Sequence, residues 1–219
     1  MKLLLFFALG ASIGSFVGLV ADRFPEQSII LPASHCDHCQ KRLRVHHLIP
    51  ILSQVFYRGR CTFCRIKIPW RYAIIEAICG GVFSLWQAGI ISFGALWLAL
   101  LGILLSLFDL KSREYPLVIW LLGSLPLLMV SDFSYHVFIF LGIGLVASAL
   151  PINIGNGDFF FLASLACILD FRHVLWVITL SSLAGILYIL FQKSRQFLLP
   201  FIPFLTGSYL FFIIIGQVQ

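Results

Sequence analysis

Long apolar segments run through almost the whole chain, and they restrict it to folds that place side chains in a lipid bilayer. Of the 219 residues, 60% are hydrophobic and only 11% are charged, whereas a soluble domain has about 45–50% apolar and about 25% charged residues. A helix needs roughly 20 apolar residues to cross about 30 Å of hydrocarbon. The sequence therefore predicts an all-α polytopic membrane protein with about eight transmembrane helices.

The expected limits of these helices are 3–21, 72–89, 91–108, 116–131, 135–151, 158–170, 173–191 and 201–217. The segment 158–170 is short for a full crossing, so it is tilted, re-entrant or continuous with its neighbour. A polar stretch at 22–71 separates the first helix from the rest. We therefore expect a transmembrane helix at 1–21, a cytoplasmic module at 22–71 and a set of membrane helices at 72–219.

Basic residues are concentrated on one side of this arrangement. With the N-terminus outside, all lysines and arginines except Lys2 and Arg172 fall in loops that share one side; these loops are 22–71, 109–115, 152–157 and 192–200. Loops rich in lysine and arginine remain in the cytoplasm, so this side is predicted to be cytoplasmic. The net charge of +6 is thereby explained without a nucleic-acid partner.

The first apolar segment has two interpretations. Lys2 and a cleavage site at Leu19-Val20-Ala21 would suit a secretory signal, but cleavage there would export the strongly basic loop. Gly10, Gly14 and Gly18 recur every four residues, and such a stripe of small residues is typical of close packing between membrane helices. A retained helix is therefore favoured.

Four of the six cysteines lie in the polar stretch, as Cys36-x-x-Cys39 and Cys61-x-x-Cys64. This spacing lets two hairpin knuckles present four thiolates to a tetrahedral zinc ion. Two disulfides are the alternative, but they require an oxidising compartment. A structural zinc is favoured, and it would supply on the order of 10 kcal/mol to a module too small to bury much of a core.

The other cysteines and the nearby histidines have simpler interpretations. Cys79 and Cys167 stand alone in apolar segments, where they are expected to pack in the core. Histidines 35, 38, 46 and 47 lie near the cysteine pairs. Because four cysteines already complete a zinc site, these histidines are expected to be solvated or to lie beside the metal ligands.

Asp109 and Asp158 are the candidate catalytic residues. Asp109 ends the third predicted helix, and Asp158 opens the sixth after Gly155-Asn156-Gly157. Under the predicted topology both carboxyls lie at cytoplasmic helix ends, and an ionisable group at membrane depth is a functional candidate. The alternatives are an interfacial ion pair for Asp109 and a helix N-cap for Asp158. Gly155 and Gly157 would allow a substrate backbone to approach Asp158 closely.

Two neighbouring carboxyls can hydrolyse an amide when one is ionised and the other is protonated. Asp109 at a helix C-terminus would meet the negative end of the helix dipole, and Asp158 at an N-terminus would meet the positive end. These positions favour Asp109 as the acid and Asp158 as the base. The pair titrates jointly, so the assignment describes one microstate.

The ordered set of motifs resembles the type IV prepilin peptidases along nearly the whole chain. The motifs that carry the resemblance are Gly14-Ser15-Phe16 with Arg23 and Pro25, Ser34-His35-Cys36-x-x-Cys39, Leu48-Ile49-Pro50-x-Leu52-Ser53, Arg58-Gly59-Arg60-Cys61-x-x-Cys64, Arg71-Tyr72-x-x-x-Glu76, Asp109 with Pro116, Gly155-x-Gly157-Asp158 and Pro200-Phe201-x-Pro203-Phe204. The chain departs from the family at Gly18, His47 and Phe160, where many members have asparagine, an acidic residue and lysine.

The resemblance implies an intramembrane aspartic endopeptidase of the bacterial plasma membrane that uses Asp109 and Asp158. Its substrates would be prepilins or pseudopilins, which lose a short basic leader at the cytoplasmic face. Such enzymes often also methylate the new N-terminus with S-adenosylmethionine, an activity associated with the cytoplasmic domain. The short chain and Ile154-Gly155-Asn156-Gly157-Asp158 are similar to competence-type members. The alternative is a proton- or cation-relay transporter subunit with a regulatory zinc module.

Overall fold

The computed structural model describes residues 1–130, 134–149, 155–191 and 199–216, and the regular secondary structure within these ranges is helical. Its helices are α1 (Lys2–Arg23), α2 (Leu52–Phe56), α3 (Arg71–Gln87), α4 (Phe93–Ser112), α5 (Leu117–Val130), α6 (Tyr135–Ala149), α7 (Asn156–Ala166), α8 (Phe171–Phe191) and α9 (Ile202–Ile214), with a 3₁₀ turn at Val45–His47. Several sequence positions used above lie outside the described residues, namely Ile154, Lys193, Arg195 and the outer ends of the segments 116–131, 135–151 and 201–217.

Three of the described helices are long and apolar enough to cross a bilayer, namely α1, α4 and α8. Shorter apolar helices are α5, α6 and α9. Helix α7 begins two residues before the predicted segment 158–170 and ends at Ala166. Its 11 residues extend about 16 Å at 1.5 Å per residue, too little for a straight crossing. The protein is thus an all-helical membrane protein, and the total of about eight spanning helices stays a prediction.

The chain divides into two compact units, Met1–Gly89 and Ile90–Gln219. In the first unit α1 lies along α3, and the glycine stripe of α1 forms the contact. A Cβ atom on Gly10 would lie 2.6 Å from the carbonyl oxygen of Cys79, and one on Gly14 would lie 3.0 Å from the Cα atom of Glu76. Gly18 faces the ring of Tyr72. The predicted packing of this stripe against another helix is therefore confirmed.

Gly10→Ala should destabilise the first unit by about 1–3 kcal/mol, because the added methyl group meets backbone that cannot move aside. Gly81→Ala is the matched control on α3, since no atom lies within 4 Å of its added Cβ. The control should be neutral or slightly stabilising, as alanine favours a helix over glycine. Unfolding of the purified proteins by denaturing detergent measures both effects. A Gly10→Ala protein as stable as the wild type would contradict the packing.

In the second unit α4 is the most buried long helix, and its neighbours bond to it through polar side chains. The Tyr209 hydroxyl donates to the Ala95 carbonyl at 3.0 Å, and the Ser106 hydroxyl donates to Thr206 Oγ1 at 2.9 Å. Because hydrocarbon offers no water to polar groups, such internal partners are required at membrane depth. These contacts fix α9 against α4, whose C-terminal turn carries Asp109.

Candidate functional site

Asp109 lies in the last turn of α4, which continues past the predicted end at residue 108 to Ser112. The helix ends because Arg113 adopts a left-handed conformation, with φ of 60°, and its N–H donates to the Asp109 carbonyl at 2.9 Å. The Asp109 side chain is only 7% exposed. Its Oδ2 atom accepts a 3.1 Å hydrogen bond from the backbone N–H of Ile202. The carboxyl therefore also meets the N-terminus of α9.

The contact with α9 changes the argument that Asp109 is the protonated partner. The sequence alone indicates only the negative end of its own helix near Asp109, whereas Ile202 N–H belongs to the positive end of α9. A donor at a helix N-terminus favours an ionised carboxylate. The two helix ends therefore oppose each other at Asp109, and helix dipoles alone no longer select it as the protonated partner.

Asp158 lies in the first turn of α7, where the N-cap is Gly155. The alternative interpretation of Asp158 as the N-cap is therefore wrong, because the helix begins two residues earlier, at Asn156. The Asp158 N–H donates to the Gly155 carbonyl at 3.3 Å, and the residue is half-buried. The charge of its carboxyl interacts electrostatically with that of Asp109. The second unit thus brings together the two carboxyls that the sequence singled out.

The two motif glycines have different spatial roles. A Cβ atom on Gly155 would lie 3.1 Å from Oδ2 of Asp158, so a side chain there would crowd the carboxyl. A Cβ atom on Gly157 would lie 2.7 Å from the ring of Tyr115. Gly155 therefore keeps the approach to Asp158 open, and Gly157 makes room for an aromatic ring.

Sequence reasoning did not identify Tyr115 as a residue of this site. Its hydroxyl donates to the Gly157 carbonyl at 2.6 Å, and its phenolic oxygen interacts electrostatically with both aspartates. It lies in the predicted cytoplasmic loop 109–115, immediately before Pro116. This position was the one sequence signal for a role of Tyr115, because the predicted topology puts this polar aromatic residue at the same membrane edge as Asp109. Tyr115 fixes the backbone beside Asp158.

The cysteine module contains the second candidate site. The sulfur atoms of Cys36, Cys39, Cys61 and Cys64 all lie within 4.8 Å of one another. Four sulfurs around zinc at about 2.3 Å would be about 3.8 Å apart, and the Cys36 and Cys64 sulfurs are 3.8 Å apart. None of these four cysteines is in a disulfide. The donor set fits a tetrahedral, thiolate-binding metal ion.

Two equivalent turns build this cluster. In the first, Cys36 N–H donates to the Lys41 carbonyl, and Gln40 N–H donates to the Cys36 carbonyl. In the second, Cys61 N–H donates to the Ile66 carbonyl, and Arg65 N–H donates to the Cys61 carbonyl. Gln40 and Arg65 both have positive φ, 55° and 62°, which closes each turn. The sequence repeat of two Cys-x-x-Cys pairs is therefore also a repeat of backbone geometry.

Electrostatics at the cluster favour thiolate formation at Cys61. Burial opposes ionisation of this thiol, but backbone N–H groups of Cys64 and Phe63, together with neighbouring thiols, lower its pKa to about 7. A thiolate is the form that binds a metal ion.

The nearby histidines are separate from the four sulfurs. His38 is exposed, and His47 packs against Tyr57 with ring centroids 5.1 Å apart. Neither belongs to the described metal-binding group. Cys79 and Cys167 are buried, as expected for core residues.

Comparisons with known proteins identify the family of the chain. Residues 8–89 match the family model described as the Bacterial Peptidase A24 N-terminal domain. A prepilin leader peptidase/N-methyltransferase of Dickeya chrysanthemi is 30% identical, over 94% of this chain and 90% of its own length. The corresponding protein of Neisseria gonorrhoeae is 30% identical, over 83% of this chain and 70% of its own length. That of Bacillus subtilis is 28% identical, over 92% of this chain and 90% of its own length. No solved structure matches the chain. The chain belongs to the prepilin leader peptidase/N-methyltransferase family.

Proposed function

We propose that this protein removes the leader peptide of prepilins or competence pseudopilins by aspartic catalysis at Asp109 and Asp158. The proposal is supported by the electrostatic interaction between these two carboxyls, each at a helix end of the second unit, in a chain whose relatives are named prepilin leader peptidases. Asp109 is held by Ile202, and Asp158 is held in the first turn of α7. This arrangement suits hydrolysis of a peptide bond that enters between α4 and α7.

The proposed reaction uses one proton shared by the pair. The ionised carboxylate removes a proton from water, and the water oxygen attacks the scissile carbonyl carbon. The protonated carboxyl donates its proton to the carbonyl oxygen. Collapse of the tetrahedral intermediate breaks the carbon–nitrogen bond. The leaving nitrogen takes the proton that the base removed from water, and the other carboxylate recovers a proton from a hydroxyl of the intermediate as the carbonyl re-forms. Asp158 remains our candidate for the base because it lies at the N-terminus of α7, where the helix dipole favours the anion. Asp109 is assigned as the acid only because it lies at the C-terminus of α4, where the dipole favours the protonated form.

Tyr115→Phe should lower the cleavage rate constant about three- to tenfold, because one hydrogen bond of roughly 1 kcal/mol is lost at the Gly157 carbonyl. The bond fixes the backbone beside Asp158 and takes no part in proton transfer. The pH profile should therefore keep its shape while kcat falls. Tyr135→Phe, at an exposed position on α6, is the control. An unchanged kcat in the Tyr115→Phe protein would remove Tyr115 from the site.

The module 22–71 and the catalytic aspartates are proposed to face the cytoplasm, with the N-terminus outside, on the basis of the basic-residue distribution. The four cysteines are proposed to hold a structural zinc ion, supported by their sulfur geometry. S-adenosylmethionine is the proposed methyl donor, supported by the N-methyltransferase part of the relatives' names.

Mass spectrometry of a pilin-like substrate tests this function. A pseudopilin is co-expressed with the protein in a host that lacks its own leader peptidase, and the mature product is isolated from membranes. We expect loss of the leader just before the hydrophobic helix, together with the mass of one added methyl group. Recovery of only full-length precursor beside a correctly inserted enzyme would refute the peptidase. A cleaved product without a methyl group would refute only the methyl transfer.

A further inference from the structure

Helix α2 and the loop before it expose apolar side chains, although they belong to the polar cysteine module. Leu52, Val55 and Phe56 are all exposed, and the exposed fraction of Phe56 reaches 79%. Residues at positions i, i+3 and i+4 share one side of a helix, so these three side chains form a single face. Leu48 and Ile49, shortly before the helix, are exposed as well. These five side chains are called the α2 face.

The opposite side of α2 is fixed to α3. The Gln54 side chain is buried, its Nε2 atom donates to the Pro69 carbonyl at 2.7 Å, and its Oε1 atom accepts from the Ala73 N–H at 3.1 Å. The Ile51 N–H donates to Oε2 of Glu76 at 2.7 Å. The polar side of α2 therefore holds it against the first two turns of α3, and the α2 face is left on the outside.

The packing of α1 against α3 gives the depth of this contact in the membrane. A Cβ atom on Gly14 would lie 3.0 Å from the Cα atom of Glu76, so these two residues are level with each other. Helix α1 is long and apolar enough to span a bilayer, and Gly14 lies about 10 Å inside the end of the predicted span 3–21, at 1.5 Å per residue. Amphipathic segments on a bilayer bury their apolar side about 5–10 Å into the boundary between headgroups and acyl chains. The bond from Ile51 to Glu76 therefore holds the α2 face at the depth where acyl chains begin.

Basic residues surround this apolar surface. Between residues 40 and 70 the sequence contains seven basic residues and no acidic residue. All seven are exposed, and they are Lys41, Arg42, Arg44, Arg58, Arg60, Arg65 and Lys67. Clusters of lysine and arginine beside a membrane attract anionic lipid headgroups. An apolar face with a basic surround is complementary, in depth and in charge, to a leaflet that contains anionic lipid.

We propose that the α2 face inserts into the bilayer leaflet on the side of the cysteine module, and that the basic residues around it bind anionic lipid headgroups. The module is then held on the membrane surface by its own lipid contact as well as by its connections to α1 and α3. This property does not involve the carboxyls of the second unit. Asp109→Asn should therefore dock on lipid like the wild type, and failure of the peptidase proposal would leave the docking surface intact.

Photocrosslinking identifies what covers the α2 face. The photoreactive p-benzoylphenylalanine replaces Phe56 in the full-length, metal-loaded protein, which is placed in nanodiscs of phosphatidylcholine and phosphatidylglycerol. Illumination should produce a lipid adduct at residue 56, detected by mass spectrometry. The same amino acid in place of Asp37, an exposed residue of the first cysteine turn, is the control and should give little lipid adduct.

The lipid adduct at residue 56 should persist when a pseudopilin is present. Its replacement by a crosslink to the pseudopilin, or to a second copy of the chain, would overturn the proposal. An equal yield of lipid adduct at residues 37 and 56 would do the same, because contact with lipid would then not be specific to the α2 face.

Hydrogen exchange tests the role of headgroup charge. Residues 48–58 should exchange at least about fivefold more slowly in nanodiscs with phosphatidylglycerol than in phosphatidylcholine alone. Arg44→Gln combined with Arg58→Gln should remove most of this difference, and the metal content of the double variant shows whether the module is folded. Arg172→Gln, at an exposed position in the second unit, is the control that should keep it. Equal exchange of the wild type in both lipids, or a full difference in the folded double variant, would refute binding of anionic lipid.

Discussion

Asp109→Asn and Asp158→Asn should each lower leader cleavage by about 10²–10⁴-fold, since acid–base catalysis of this kind contributes typically that much and neither asparagine can exchange the required proton. Both substitutions keep the size of the side chain. In the Asp109→Asn protein the amide oxygen can still accept the hydrogen bond from Ile202 N–H, so the contact between α4 and α9 is retained. The measurement is the rate of leader removal from a purified pseudopilin, with the enzyme inserted in proteoliposomes.

Asp170→Asn is the matched control for this pair. It follows α7 at the end away from Asp158 and is exposed. We expect its cleavage rate to equal that of wild type. The Asp109→Asn and Asp158→Asn proteins should both reach the membrane in wild-type amounts. Normal cleavage by either the Asp109 or the Asp158 variant would reject the two-carboxyl mechanism.

The second large effect is expected from removal of the metal ion. Structural zinc contributes on the order of 10 kcal/mol to the folding of small modules, and the turns around Cys36 and Cys61 contain little buried apolar surface besides the sulfur cluster. Chelation, or Cys36→Ser and Cys61→Ser, should therefore unfold the module while leaving residues 90–219 folded. Hydrogen exchange followed by mass spectrometry should show loss of protection within residues 34–68 alone.

Metal analysis accompanies this experiment. The wild type should bind one zinc ion per chain, and each serine variant should bind markedly less. Cys167→Ser, in the second unit, is the control that should retain the metal. A reduced wild-type module that is free of metal and still protected from exchange would show that the cysteines are not a structural zinc site.

The parts of the fold that the sequence predicted well depend on short-range patterns. The two Cys-x-x-Cys pairs became two equivalent turns because each is closed by its own backbone hydrogen bonds. The stripe of Gly10, Gly14 and Gly18 faces α3 because a four-residue spacing repeats on one side of a helix. Both patterns can be read from the sequence without knowledge of the partner surface.

The features that the sequence did not reveal depend on contacts between distant residues. The bond from Tyr115 to Gly157 joins positions 42 apart, and the bond from Ile202 to Asp109 joins positions 93 apart. The sequence around Tyr115 and Ile202 contains no local pattern that predicts these two bonds. The start of α7 at Asn156 was also missed, because Gly155-Asn156-Gly157 predicts a loop, whereas the structure starts the helix at Asn156 with Gly155 as its N-cap.

The environment of Glu76 also depends on distant residues. In the sequence it stands five residues after Arg71, in the motif Arg71-Tyr72-x-x-x-Glu76. In the structure Arg71 bonds to Asp22, and Glu76 bonds to the backbone of Ile51 in the cysteine module. Ile51 has a φ of 60°, which is rare for a β-branched residue. An isoleucine in the sequence does not predict this conformation, so the contact with Glu76 could not be predicted locally.

Crosslinking of residues 109 and 158 measures most directly whether the two proposed catalytic positions meet. Cysteines are introduced at both positions by Asp109→Cys and Asp158→Cys, and membranes are treated with a short bifunctional thiol reagent. The pair Asp109→Cys and Asp170→Cys serves as the control, because residue 170 follows the far end of α7. Peptide mapping by mass spectrometry should find a 109–158 crosslink in high yield and no 109–170 crosslink. Absence of the 109–158 product, with both thiols shown to be reactive, would contradict a shared catalytic site.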